Sequence, residues 1–364
     1  MKAKRSRALA DSLTGIAAHS PARALGPESR YLIVGDLRLG DGGSRDRLAR
    51  ERALVYDVLG RHYFDRGYTL VLDGDIEDLR RYWLKDILAA WPELYALFDA
   101  YHEDGRLLKI LGDHDLSLLR IRSYPYELAH GFRLDGAERS ILIVHGHQAA
   151  QPYLEYDYLE DYLPRWQSSA LRRADSGTDE GARARFKIER RLYRAAAQAG
   201  LVAVASHTRR PLFESTTNRD SIRDDIDRLL GRQSLSEEEA RLVKLIKVYG
   251  LRPRASKAYP SGLAYKRELP LLPCLFSPGR FLSGRRDASS ELRMLEIEGD
   301  RIGMVRWSEQ PSPDPVLLGG RSYLRSETRM ASIADILARS GAGALESDYE
   351  AEGPDTEDGS GGAA

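Results

Sequence analysis

Five short apolar runs in this 364-residue chain each end in carboxylates or imidazoles. The ends read Gly35-Asp36, Asp73-Gly74-Asp75, Gly112-Asp113-His114-Asp115, His145-Gly146-His147 and Ser206-His207. Taken singly, each has an ordinary explanation. Gly-Asp pairs favour turns, carboxylates in a first helical turn complement the helix dipole, and an isolated histidine is more often structural than a ligand. Their joint occurrence points to a metal site. Oxygen and imidazole donors without thiolates suit Mn, Fe or Zn, and such sets often hold two ions bridged by a carboxylate. Ions held this way polarise substrate oxygens and activate water.

The elements that must deliver these groups are legible. Tyr31–Val34, Tyr68–Leu72, Leu107–Leu111, Ser140–Val144 and Leu201–Ala205 are β-rich and nearly continuous in apolar character, as strands buried on both faces are. Helical spacing separates several of them, with Ala53, Leu54, Val58 and Leu59 in one segment and Leu84, Ile87, Leu88, Trp91, Leu94, Leu97 and Phe98 in another. The alternation predicts β-α-β units and an α/β sheet. Ligands bind at the carboxyl ends of strands in such sheets, so groups as distant in sequence as Asp36 and His207 are expected to converge. Further on, Leu292–Glu298 and Arg301–Trp307 flank Gly299-Asp300 and predict an antiparallel hairpin in a second sheet.

Composition sets the limits. Apolar residues at 42% and charged residues at 30% suit a folded, globular chain. Lys+Arg and Asp+Glu both number 55, and this neutral balance argues against a general nucleic-acid or membrane-surface binder. Clusters such as Arg172-Arg173 and Arg190-Arg191 then read as solvated helix faces. The single cysteine, Cys274, excludes an intramolecular disulfide framework and any multi-cysteine metal site. No apolar run reaches membrane-span length, and no signal-like stretch follows the basic residues of the first thirty. A cytoplasmic protein is expected. Residues 1–29 are expected to form a loose basic arm, or a short helix with little to pack against, and 311–364 a C-terminal extension. That extension ends in a disordered acidic tail, with seven carboxylates and no Lys or Arg over 341–364. Two polar, largely helical stretches, about 151–200 and 214–268, read as insertions able to cap a site; the second carries a Ser236-x-x-Glu239 capping box.

With these residues in view, the chain resembles the calcineurin-like metallophosphoesterase superfamily over roughly residues 30–308. The five blocks of that family stand here as Asp36-Leu37-Arg38, Gly74-Asp75-Ile76-Glu77-Asp78, Gly112-Asp113-His114-Asp115, His145 and Ser206-His207-Thr208-Arg209. The His-Gly-His form of the fourth block is similar to the branch that contains the UDP-2,3-diacylglucosamine hydrolases. The resemblance implies a four-layer α-β-β-α sandwich with helical insertions. It also implies hydrolysis of a phosphomonoester, phosphodiester or pyrophosphate. The substrate would be a phosphorylated small molecule or a lipid-linked one, with no nucleic-acid or membrane partner indicated. The sequence leaves the oligomeric state open.

The resemblance assigns ligand roles residue by residue, and two departures matter. One family ion is held by the first-block Asp and His, the second-block Asp and the last fifth-block His. Here both histidines are arginines, Arg38 and Arg209, beside Asp36 and Asp75. Guanidinium is donor-only and permanently charged, so it cannot ligate a cation. Arg38 and Arg209 are therefore expected to fill the vacated site, neutralise Asp36 and Asp75, and grip phosphate oxygens. The other ion would keep Asp75, Asp113, His145 and His207. One divalent ion is expected rather than two, Mn first with Fe or Zn as alternatives. His114 matches the family histidine that contacts phosphate or protonates the leaving group, with Asp78 or Asp115 to orient it. A catalytically inactive binding or scaffold protein on the same fold is the competing expectation.

Overall fold

The computed structural model describes residues 2–137, 139–149, 182–216, 272–283 and 290–340. The expected insertions over 151–181 and 217–268 and the acidic tail 341–364 lie outside the described residues.

Two mixed β-sheets face each other, and the apolar alternation of their strands builds three cores. In the larger sheet, β2 (Arg30–Val34), β3 (Thr69–Asp73), β4 (Leu107–Ile110) and β5 (Leu128–Ala129) run parallel. The hairpin β11 (Glu291–Glu298) and β12 (Arg301–Ser308) joins antiparallel to β2, with Glu298 opposite Arg301 across the Gly299-Asp300 turn. Beyond β12 come β14 (Arg321–Ser332) and β13 (Val316–Leu318), and β10 (Leu282–Ser283) pairs with β11. The smaller sheet runs β1 (Ala22–Ala24), β6 (Phe132–Asp135), β7 (Ser140–Ile143), β8 (Val202–Val204), β9 (Leu275–Phe276).

Period two along each strand divides its side chains. Tyr31 and Ile33 of β2 and Val71 of β3 meet Phe132, Ile141, Ile143, Val202 and Val204 of the smaller sheet in a central layer. On the outer face of the larger sheet, Leu32, Val34, Leu70 and Leu72 pack under helices. These are α2 (Arg52–Tyr56), which continues as a π-helical stretch over Asp57–Phe64, α3 (Leu84–Ala90) and α4 (Pro92–Glu103). Pro92 at the first position of α4 breaks what the spacing predicted as a single helix. On the outer face of the smaller sheet, Leu142, Val144, Ala203 and Ala205 pack under α1 (Lys2–His19) and α5 (Ala182–Ala199). The result is the α-β-β-α sandwich, with every predicted strand in place. A final helix, α6 (Ile333–Arg339), is capped by the Ser332 hydroxyl, which accepts from the Asp335 amide at 3.2 Å.

Three expectations about organisation are corrected. The N-terminal segment is no loose arm: Leu9, Leu13 and Ala17 of α1 are buried against α5, and Ala22–Ala24 adds a strand to the smaller sheet. The missed signal is the i, i+4 spacing of these three apolar residues behind the basic stretch Lys2–Arg7. The sandwich does not end near 310, because β13, β14 and α6 extend it to Ser340. Residues 182–199, assigned to an insertion, form α5 of the sandwich itself. No described helix is long and apolar enough to cross a membrane.

Candidate metal and anion centre

The five strand ends converge. The first two blocks are stitched together as β2 and β3 run out: the Asp36 amide donates to Gly74 O at 3.0 Å, Arg38 to Asp75 O at 3.0 Å and Leu39 to Ile76 O at 2.8 Å. In the smaller sheet, where β7 and β8 run out side by side, the His207 amide donates to His145 O at 2.9 Å. Third-block geometry is fixed by Asp115, whose carboxylate accepts from the Gly112 amide at 2.6 Å and the Ile76 amide at 3.0 Å. Gly74 (φ +72°) and Gly112 are required by crowding, since a Cβ at Gly74 would strike the His145 ring and one at Gly112 the Asp75 carboxylate.

Backbone conformation marks the same place. Asp36, Arg38, Asp75 and Arg209 all hold positive φ, between 51° and 57°, and they are four of the six non-glycine residues that do so among those described. Each such conformation costs about 1–3 kcal/mol and persists only where surrounding structure over-determines it.

Arg38 and Arg209 both lie against buried carboxylates. Arg38 Nε is 2.7 Å from Asp36 Oδ1, Arg38 Nη2 is 2.7 Å from Asp75 Oδ2, and Arg209 Nε is 2.8 Å from Asp36 Oδ1. Burial works against the Arg38 charge, but Asp75, Asp36 and Asp78 outweigh it and raise its pKa. Guanidinium groups thus hold the carboxylates of the first-block site.

The second cluster is different in kind. His145 Nε2 lies 3.4 Å from Asp113 Oδ1, 3.5 Å from Asp75 Oδ1 and 3.3 Å from His207 Nδ1, while His207 Nδ1 lies 3.1 Å from Asp113 Oδ1. For ligand bonds of about 2.1 Å, the edges of a metal tetrahedron are about 3.4 Å. Asp113 Oδ1 and His207 Nε2 are buried without a hydrogen-bond partner. The His145 Nδ1–H donates to Asp73 O at 2.9 Å, beside Ser206 Oγ at 3.1 Å. That contact turns the Nε2 lone pair into the cluster, the outer-shell arrangement usual for metal-binding imidazole. Burial opposes charge on His145, yet Asp75 and Asp113 raise its pKa well above the ordinary value. Burial likewise opposes charge on Asp113, and His207 and His145 outweigh it, holding its carboxyl well below the ordinary range. A cation replacing that proton relieves both. The donor set fits a divalent ion: Asp113, His145 and His207 form one candidate group, Asp36, Asp75 and His145 a second, and Asp75, Asp113 and His114 a third.

His114 is held at the rim. Its Nδ1 is 2.8 Å from Asp78 Oδ1, which leaves Nε2 toward the cluster, 3.9 Å from Asp113 Oδ2. Of the two orienting partners expected, Asp78 is the one; Asp115 is turned away to the loop amides and to Lys109. Lys109 is fully buried below the site, with Nζ 2.5 Å from Glu77 Oε2 and 3.0 Å from Asp115 Oδ2. Tyr95 and Tyr124 donate to the other Glu77 oxygen at 2.9 and 2.8 Å. Sequence reasoning missed this support, along with Ser206 and Arg80. A lysine inside an apolar strand run was the available signal for the first.

No family model and no curated protein matches this chain. Solved structures that resemble it include a Vps29 single mutant from Entamoeba histolytica, 10% identical with a TM-score of 0.30, covering 82% of this chain and 98% of that one. Chaetomium thermophilum Vps29 is 9% identical with a TM-score of 0.32, covering 84% and 97%. Vacuolar Protein Sorting 29 from Cryptosporidium parvum is 12% identical with a TM-score of 0.30, covering 83% and 98%. The sandwich stands on its own sheet order and cores.

Proposed function

We propose that the protein is a metal-dependent phosphoesterase acting on a phosphomonoester, phosphodiester or pyrophosphate, with one divalent cation and an arginine pair in place of a second. The observation that carries this reading is the inward turn of Asp75 Oδ1, Asp113 Oδ1, His145 Nε2 and His207 Nδ1 in a buried cluster where Asp113 Oδ1 has no hydrogen bond. These four residues would hold the cation, manganese before iron or zinc. When bound, it would supply Lewis-acid polarisation of a phosphoryl oxygen and a more acidic water. Arg38 and Arg209 counter the charges of Asp36 and Asp75 and present donors to phosphate oxygens. His114, with its Nδ1 proton held by Asp78, is set to exchange a proton at Nε2 with a leaving oxygen. The substrate would be a phosphorylated small molecule or a lipid-linked one, in a cytoplasmic setting.

A second reading, a catalytically silent binding or scaffold protein, is favoured by one observation: Arg38 bridges Asp36 and Asp75, the carboxylates a first-block cation would need. One experiment separates the two. Metal content per chain is measured after purification without chelator, together with hydrolysis of an aryl phosphate and an aryl phosphodiester in manganese. About one ion per chain with metal-dependent turnover, both lost in His207→Ala, supports the enzyme. Turnover no greater than that of His207→Ala supports the scaffold.

A further inference from the structure

One residue reaches the centre that no family block contains. Arg80, two positions after Asp78, places Nη2 3.0 Å from Asp113 Oδ2 and Nη1 3.5 Å from His114 Nε2, with its side chain 37% exposed. Asp113 is thereby divided as Asp75 is. The inner oxygens, Asp113 Oδ1 and Asp75 Oδ1, face His145 Nε2, and the outer oxygens lie against the guanidinium groups of Arg80 and Arg38.

Asp36, Asp75, Asp78 and Asp113 are matched one for one by Arg209, Arg38, Arg81 and Arg80. A divalent cation entering this buried cluster in place of the His145 proton adds one positive charge beyond what the proton carried, and excess buried charge is costly. A dianion bound beside it removes that excess. Arg80 is placed to receive one: it is partly exposed, it sits over both Asp113 and His114, and its planar fork suits two oxygens of a tetrahedral oxyanion.

We propose that Arg80 is an oxyanion-binding residue of this centre, and that a divalent cation and a phosphate-type dianion bind there as linked ligands, each tightening the other. The inference rests on the one-cation reading above. Linkage is reciprocal, so the factor by which the anion tightens the cation must equal the factor by which the cation tightens the anion.

The test uses the full chain, manganese, and sulfate, a tetrahedral dianion that leaves manganese soluble. Calorimetric titrations of manganese are run with and without saturating sulfate, at ionic strength matched with chloride, and the reverse titration is run with sulfate. The expected result is manganese affinity about tenfold or more higher in sulfate, with the same factor in reverse, within the usual range of couplings between sites. Arg80→Gln should reduce the factor below about threefold, and Arg80→Lys should restore part of it. Arg80→Lys also carries the test should Arg80→Gln fail to fold. About one manganese per chain with an affinity indifferent to sulfate overturns the inference and leaves the one-cation reading standing. No manganese binding in either condition overturns both. Coupling unchanged in both Arg80 variants removes Arg80 from the proposal.

Discussion

The Arg38 guanidinium lies 2.7 Å from Asp75 Oδ2 through Nη2, and its Nε lies 2.7 Å from Asp36 Oδ1, so one side chain ties together two carboxylates that are both fully buried. A buried ion pair is weak evidence of net stabilisation, but breaking one by removing a single partner typically costs about 3–5 kcal/mol, because a charge is left behind. Arg38→Ala should therefore destabilise the metal-free protein by about that amount. Arg209→Ala should cost less, since Asp36 keeps Arg38. Urea denaturation in chelator measures both, and a loss below about 1 kcal/mol for Arg38→Ala would show that water already screens the pair.

Replacing donors with ligands should recover a second ion. In Arg38→His/Arg209→His, two permanent cations become imidazoles beside Asp36 and Asp75, a donor set suited to a second divalent ion. Metal content should rise from about one to about two ions per chain, read by elemental analysis or native mass spectrometry. An unchanged stoichiometry would mean that backbone conformation, with positive φ at both positions, aims these side chains away from the ligand geometry.

Asp73 offers a pH test. Its side chain is fully buried at the end of β3, neither carboxylate oxygen has a hydrogen-bond partner, and burial pushes its carboxyl up to about 7, only partly offset by His145 and Ser206. A folded pKa above the unfolded value of 3.8 means the folded state keeps a proton the unfolded chain releases. Its stabilising contribution is thus complete below about pH 4, falls as pH rises toward about 7, and is constant above that. Asp73→Asn should abolish the change, which amounts to about 4 kcal/mol at most. Denaturation midpoints of the two proteins, compared in chelator across this range, should diverge with rising pH in favour of Asp73→Asn. Parallel curves would place water at Asp73.

How much of this was legible follows from what each feature depends on. Strands β2, β3, β4, β7 and β8 were readable because burial on both faces demands nearly uninterrupted apolar runs. The hairpin at Gly299-Asp300 was readable because a two-residue turn needs positive φ, and Gly299 has it, at 56°. Asp36, Asp75, Asp113, His145 and His207 were readable as a group because each follows a strand and each can ligate. Arg80 was not, because an arginine after a charged loop reads as solvated until the fold sets it over Asp113. Lys109 was not, because its partners Glu77 and Asp115 come from two other loops.

Helix α1 supplies the last test. Basic composition argued for a loose arm, yet Leu13 is fully buried and Leu9 and Ala17 nearly so, all packed with Leu192, Ala195 and Ala196 of α5. Helix α5 also carries Glu189, which holds Arg210, next in the chain to Arg209, through a two-point ion pair. Truncating a buried leucine typically costs about 2–5 kcal/mol through lost burial and the cavity left behind. Leu13→Ala should fall in that range by urea denaturation, and should leave manganese stoichiometry unchanged, because α1 supplies no ligand. A cost under about 0.5 kcal/mol would mean that α1 does not stay docked in solution. A normal cost accompanied by lost manganese would mean that the α1–α5 contact sets the position of the His207–Arg210 loop.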